Sequence, residues 1–198
     1  MNRNEEFWKG DFGNEYAKRN VGKVEANIAL FSRIMAMTDG VESILELGCG
    51  TGQNLRALST IMPGTTLVGA EINEQAAKQA KWGEIHQRAI LDPQLQITCD
   101  MAFTKGVLIH QHPDELPAVY QKLYASARKY ILVAEYYNPA PVEVPYRGHE
   151  GVLWKRDFAG ELLDTFPDLK LVGYGFTYHR DQFPQDDLTW MLLSKETK

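Results

Sequence analysis

The chain has 198 residues, 44% hydrophobic and 24% charged, with a net charge of -5. That length predicts one domain (1–198) with a full core, and the acidic balance excludes a global basic footprint for nucleic acid. No stretch reaches the ~18 apolar residues that span a bilayer, Met1-Asn2-Arg3-Asn4 is no signal peptide, and two cysteines, Cys49 and Cys99, in or beside predicted strands point to a reducing, cytoplasmic setting.

Residues 1–40 precede the predicted sheet. Phe7-Trp8-Lys9-Gly10-Asp11-Phe12-Gly13-Asn14-Glu15-Tyr16-Ala17-Lys18-Arg19-Asn20 mixes aromatics, glycines and bases in one short segment. Two readings fit it. Glycines beside aromatics suit a hinged lid over a ligand; alternatively the aromatics staple an N-terminal helix to the sheet. Val24 to Met37 reads as a helix, with Ile28, Phe31, Ile34 and Met35 on one apolar face.

Ser43-Ile44-Leu45-Glu46-Leu47 is an apolar run of strand length, followed by alternating glycines and then the helical Leu55-Arg56-Ala57-Leu58. Strand, glycine turn and helix form the first unit of a nucleotide-binding α/β sheet. The helix start offers unpaired N–H groups to polar ligand atoms. A dinucleotide fingerprint counted from Gly48 wants glycine at position 53, where this chain has Gln53. The pattern is Glu46, Gly48, Gly50, Gly52. It resembles motif I of the class I S-adenosylmethionine-dependent methyltransferases. The resemblance implies S-adenosyl-L-methionine as cofactor and S-adenosyl-L-homocysteine as product, held by these four residues and Asn54. On the lid reading of the N-terminal segment, Trp8, Phe12 and Tyr16 cover that cofactor while Arg19 meets its carboxylate.

Thr66 to Glu71 reads as the second strand, ending in an acid about 20 residues past the glycine loop, where a ribose diol is gripped. A carboxylate accepts two hydroxyl hydrogen bonds at once. Glu71, followed by Ile72, therefore supports a nucleoside, although nicotinamide enzymes use the same device. Asn73 caps a helix predicted over Glu74 to Trp82. A third strand is expected over Ile85 to Ile90, and the family likeness places Ala89 and Ile90 beside the adenine, before the turn at Asp92-Pro93. The fourth strand runs from Cys99 to Lys105. Its end, Thr104-Lys105-Gly106, lies at the ligand edge of an open sheet.

Val107-Leu108-Ile109-His110 leads into a helix with Pro113 at its start and Asp114 and Glu115 at its positive end, running to about Ala127. His110 and His112 are two apart and point to opposite sides of a strand, with no third ligand at motif spacing, so no metal is predicted. His110 is taken as a site residue and His112 as a cap. Lys129 to Tyr136 is the fifth strand. Residues 135–158 then combine prolines, glycines, aromatics and charges in a long loop over the same crevice, an arrangement that is usually functional. Within it, Tyr136, Tyr137, Asn138, Tyr146, Arg147, Lys155 and Arg156 are expected to bind an anionic substrate, and Glu135 and His149 join His110 as candidate bases. A solvated surface loop with a few salt bridges is the other reading. Asp157 caps a helix from Phe158 to Phe166, and Leu169 to Tyr178 with Leu188 to Leu193 form an antiparallel hairpin. The expected fold is α/β, a Rossmann-like class I methyltransferase sheet of five parallel strands plus that hairpin, with helices on both faces.

Several segments narrow the likeness. The Trp8 to Asn20 start, Phe103-Thr104-Lys105-Gly106-Val107-Leu108-Ile109-His110, Glu135-Tyr136-Tyr137-Asn138-Pro139 and Tyr146-Arg147-Gly148-His149 resemble a small methyltransferase family associated with pseudaminic acid biosynthesis. This implies a small acidic or amino sugar, or its nucleotide-activated form, as methyl acceptor in surface glycan biosynthesis. The alternatives are a small-molecule methyltransferase of another pathway, a non-catalytic cofactor-binding domain, and a nicotinamide oxidoreductase, which Gln53 argues against. Nucleic-acid methylation lacks its Asn/Asp-Pro-Pro-Tyr/Phe motif here.

Overall fold

Alternating strands and helices build a seven-stranded sheet in the order β3-β2-β1-β4-β5-β9-β8 in the computed structural model, which describes residues 3–19 and 24–196. Helices α1 (Arg3–Lys9), α2 (Asp11–Arg19) and α3 (Val24–Met35) come first. Asn20, the last residue of the aromatic segment, lies outside the described residues. Strand β1 (Ser43–Leu47) is followed by α4 (Gln53–Ile61), β2 (Thr66–Ala70), α5 (Glu74–Gln79), β3 (Glu84–His86) and β4 (Cys99–Lys105). Short 3-10 turns at Leu108–His110 and Pro113–Glu115 precede α6 (Leu116–Ser126) and β5 (Ala127–Glu135). A small ribbon of β6 (Val142–Glu143) and β7 (Trp154–Lys155), helix α7 (Phe158–Thr165), β8 (Leu169–Phe176) and β9 (Thr189–Lys195) complete the chain.

Strands β3, β2, β1, β4 and β5 are parallel. The sheet has seven strands, not five, because the C-terminal pair does not stand apart: β9 hydrogen-bonds antiparallel to β5 and β8 antiparallel to β9. The sequence dictates this layering. Residues of the central strands alternate between two apolar clusters. Leu45, Leu47, Ile131 and Val133 pack against α6 and α7 through Leu123 and Leu162. Ile44, Met101, Phe103 and Leu132 pack against α3 and α4 through Phe31, Ile34 and Leu58.

Several boundaries differ from those expected. Strand β3 stops at His86, because Arg88 N–H returns to the His86 carbonyl at 2.9 Å and Asp92 N–H closes a turn on Ala89 at 3.1 Å. Helix α5 stops at Gln79, where Ala80 takes extended dihedrals. The segment after His112 turns twice as 3-10 before α6 begins at Leu116. Asn73 and Asp157 cap as expected, accepting from Ala76 N–H and Gly160 N–H. Among the described residues no helix is long and apolar enough to cross a membrane.

Candidate active site

A cavity of about 480 Å³ opens where the C-terminal ends of β1, β2, β4 and β5 meet. Its floor is the glycine loop, which hangs on β2: Gly48 and Cys49 N–H donate to the Ala70 carbonyl at 2.8 and 3.0 Å. Glu71 ties the loop from the other side. One carboxylate oxygen accepts Gly50 N–H at 2.8 Å and the other accepts Asn73 N–H at 2.7 Å. The Ile72 N–H also bonds this carboxylate, and of its roughly four acceptor sites capacity remains for a ligand hydroxyl. Gly50 and Gly106 both take positive φ, line the cavity, and have open space where a Cβ would stand. Any side chain there would be strained and would project into the void.

Helices α1 and α2 roof this floor. Trp8, Tyr16 and Arg19 line the cavity. The Trp8 ring lies 4.5 Å from His110 and 5.2 Å from Tyr16. Two side-chain ties hold the roof: Asn4 Nδ2 donates to the His110 carbonyl at 2.9 Å, and Asn73 Nδ2 donates to the Trp8 carbonyl at 3.2 Å and to Asn14 Oδ1 at 2.9 Å. Tyr136, Tyr146 and Arg147 form the outer wall, Arg147 at a positive φ of 50°. Buried polar atoms of three lining residues have no hydrogen-bond partner among the described residues: Trp8 Nε1, Asn27 Oδ1 and Gln53 Oε1. Buried groups of that kind call for a ligand or water.

Burial sets the charge states. Desolvation pushes the Glu71 carboxyl up despite its backbone donors, and pushes Glu46 up to about 8. His110 is pulled down to about 4 by burial, so its imidazole is neutral. Its Nδ1 lies 2.7 Å from the Val152 carbonyl. A carbonyl only accepts, so Nδ1 carries the hydrogen and Nε2 is the basic nitrogen. Desolvation also pushes Tyr136 up to about 12.

No family model matches the sequence, and no curated protein does. Solved structures do match. The 1,6-didemethyltoxoflavin-N1-methyltransferase of Burkholderia thailandensis, with 1,6-didemethyltoxoflavin and S-adenosylhomocysteine bound, superposes with a TM-score of 0.71 at 13% identity, over 98% of this chain and 87% of that one. Magnesium protoporphyrin IX methyltransferase from Synechocystis PCC 6803 with bound SAH gives 0.70 at 14% identity, over 97% of both chains. An amino pentose methyltransferase from Micromonospora echinaspora with bound SAM gives 0.65 at 12% identity, over 93% of this chain and 96% of that one. The chain has the class I methyltransferase fold. At such identities the likeness is one of fold alone.

Within the methyltransferase fold, many of the expected site residues do meet at one cavity. Trp8, Tyr16, Arg19, Gly48, Gly50 and Asn54 line it, as do Glu71, Ile72, Ala89, Ile90, Lys105 and Gly106. His110, Tyr136, Tyr146 and Arg147 line it from the acceptor side. The others do not, each for a physical reason. Phe12 stacks on Phe7 at 4.1 Å, outside the roof. Glu46 is buried beneath the loop, where it accepts Asn54 Nδ2 at 2.5 Å. Gly52 starts α4 at a φ of 76°, and a Cβ there would come within 3.0 Å of Ala80. Thr104 is fully buried in β4.

The candidate bases fare unevenly. Glu135 is buried and turned from the cavity, its carboxylate accepting N–H groups of Val107, Leu108 and Ile109 at 3.0 to 3.4 Å. His149 is exposed and packs on Phe7 and Phe12 at 5.0 and 5.6 Å. Tyr137, just past the end of β5, is exposed and does not line the cavity. Asn138 folds its amide onto the Ala140 carbonyl at 2.5 Å. The Lys155 ammonium lies 5.4 Å over the Tyr136 ring. Arg156 is paired with Glu161 at 2.8 Å.

Sequence reading missed Asn4, Asn27, Arg88 and Asp186, which also line the cavity. Asn27 did carry a signal, since it is a polar residue on the buried face of α3. Asp186 carried none, because only the folding of the 177–188 loop brings it to the rim.

Proposed function

We propose that the protein is an S-adenosylmethionine-dependent methyltransferase acting on a small acidic or amino sugar. A nonulosonate of the pseudaminic acid type, or its nucleotide-activated precursor, is the favoured acceptor. The observation that carries the cofactor assignment is the Glu71 carboxylate beside the open face of Gly50, at the end of β2 and under an aromatic roof. The residues fit the group. Two Cβ-less positions face the void, and orphaned polar atoms of Trp8, Asn27 and Gln53 surround it. Neighbours of the same fold hold SAM or SAH.

When bound, the cofactor supplies an activated sulfonium methyl for in-line displacement. The chain has then to align the acceptor, exclude water and take up a proton. Glu71 would accept the ribose hydroxyls, and Ala89 and Ile90 would flank the adenine; all three line the cavity. Arg19 is assigned to the cofactor carboxylate, while Arg147 on the outer wall suits an acceptor carboxylate or phosphate. His110, neutral and with Nε2 basic, is the one candidate base that lines the cavity. The sugar assignment rests on the sequence resemblance and on these guanidinium groups.

The test is calorimetric titration with S-adenosylhomocysteine. Micromolar binding that Glu71→Ala abolishes supports the cofactor reading; a folded protein that does not bind overturns it. Turnover of candidate acidic sugars, lost in Arg147→Ala, then tests the acceptor. A cofactor-binding domain without turnover is the second reading. It is favoured by two of the three candidate bases lying outside the cavity, and SAH binding without activity on any acceptor is the outcome that would support it.

A further inference from the structure

The acceptor side of the cavity carries two features that cofactor binding leaves unexplained. One is a strained turn. Tyr146 N–H donates to the His149 carbonyl at 2.9 Å and His149 N–H donates to the Tyr146 carbonyl at 3.0 Å, closing a two-residue hairpin over Arg147 and Gly148. Both central residues take positive φ, 50° and 81°, in a mirror-image turn that asparagine followed by glycine suits best. Arg147 is the one non-glycine residue at positive φ among the described residues. A long side chain kept in that region points to a function that outweighs the strain. The turn sets the guanidinium on the outer wall, 5.7 Å over the Tyr146 ring.

The other feature is a corner of hydrogen-bond acceptors. Asn27, near the start of α3, is 2% exposed and lines the cavity, and its Oδ1 meets no donor among the described residues. Gln185 Nε2 donates to the Ala26 carbonyl at 2.7 Å, which fastens the 177–188 loop to α3 beside Asn27. That tie brings the next residue, Asp186, to the same corner. Asp186 interacts within the protein, but a carboxylate has about four acceptor sites and its charge reaches across the void. Burial is the main cause that raises the Tyr16 and Tyr136 phenols, and the Asp186 charge adds to it at both. An amide oxygen, a carboxylate and aromatic faces together favour a cationic donor such as an ammonium. The cavity's other cations act elsewhere. Arg88 pairs with Asp92 at 2.9 Å, Lys105 bears on Glu46 beneath the floor, and Arg19 is assigned to the cofactor.

We propose that the acceptor carries an acid and an amine on one small molecule, a zwitterionic amino sugar acid, with its acid on Arg147 and its ammonium at the corner of Asn27 and Asp186. This rests on the methyl-transfer reading and narrows its acceptor, for which either group alone would otherwise serve.

The test is calorimetry on the full chain loaded with S-adenosylhomocysteine. Three probes are compared: 2-amino-2-deoxyglucuronic acid, which has both groups; glucuronic acid, which lacks the amine; and glucosamine, which lacks the acid. The first should bind at least about tenfold tighter than either of the others, the worth of one hydrogen bond to a charged group. Arg147→Asn suits the turn, so it should melt no lower than the wild type while losing the preference over glucosamine. Asn27→Leu removes an unsatisfied buried oxygen at similar size. It should melt no lower, keep S-adenosylhomocysteine affinity and lose the preference over glucuronic acid. Glucuronic acid or glucosamine binding as tightly as the amino sugar acid overturns the proposal, as does binding of none of the three. So does either variant that keeps the preference it should lose. An Asn27→Leu variant that melts lower marks the amide as structural, and one with weaker S-adenosylhomocysteine binding puts Asn27 on the cofactor; both overturn the proposal. Folded wild type that takes up no S-adenosylhomocysteine is a different failure, since it overturns the methyl-transfer reading itself and this proposal with it.

Discussion

Two buried titratable groups give the stability of this protein opposite pH slopes. Glu46 releases its proton near 4.5 when exposed, but burial pushes it up to about 8 in the fold, with the Asn54 hydrogen bond opposing. Between those values the folded state holds a proton that the unfolded chain has lost, so stability falls as pH rises through that window. Glu46→Gln keeps an oxygen for Asn54 and removes the titration. Its stability should gain on the wild type as pH climbs from 4.5 to about 8, by up to several kcal/mol at about 1.4 per pK unit, read as a melting temperature that rises relative to the wild type. His110 acts in the other direction. Its pKa drops from 6.5 to about 4 on burial, so the unfolded chain binds a proton that the native state refuses, and stability is lost as pH falls through that interval. His110→Gln should flatten this acid limb in melts taken across the same range. Composition foretold neither shift. Glu46 was legible as part of a cofactor motif, yet its burial under Asn54 follows from how the glycine loop folds over it.

Asn73 and Glu135 each hold two pieces of chain together. Asn73 caps α5 by accepting Ala76 N–H and also ties the roof through Trp8 and Asn14. Asn73→Ala should cost about 1 kcal/mol for the lost cap and a similar amount for the roof contacts, with faster amide exchange over residues 8–14 as its signature. Glu135 gathers the N–H groups of Val107, Leu108 and Ile109, the turn that carries His110. Glu135→Gln leaves one acceptor oxygen for them. It should destabilise by about 1–3 kcal/mol, and lower turnover more than S-adenosylhomocysteine affinity. Element boundaries were legible where a local signal fixed them. Caps at Asn73 and Asp157, and the apolar run of β4, depend on neighbours within a few residues. The end of β3 was not, because His86 stops pairing where the chain must turn to wall the cavity. Nor was the role of Glu135, since its partners lie about 26 to 28 residues away in sequence and meet it only when β4 pairs with β5.

Across the whole molecule, stability and binding are carried by different regions. Leu123, on the inner face of α6, is fully buried among Leu45, Ile131 and Leu162. Leu123→Ala should cost about 2–5 kcal/mol through the cavity it leaves without changing S-adenosylhomocysteine affinity, measured below the shifted melting temperature. Trp8, in the roof, should report ligand directly, its fluorescence changing on titration in a signal that Trp8→Phe removes. The sequence by itself determined the alternation of strands and helices, the glycine loop, the acid at the end of β2 and the aromatic character of the roof. These follow from periodicity, turn chemistry and spacing, which act over a few residues. Only the tertiary structure decided which side chains share the cavity. Past the end of β5 the chain turned Tyr136 to the cavity and left Tyr137 exposed, an ion pair with Glu161 took Arg156, and the outer side of α1 and α2 took His149. It also brought in Asn27 and Asp186 from distant elements. A cavity is enclosed by groups that the chain places far apart, so its membership is set by packing and by long-range hydrogen bonds, which no local pattern encodes.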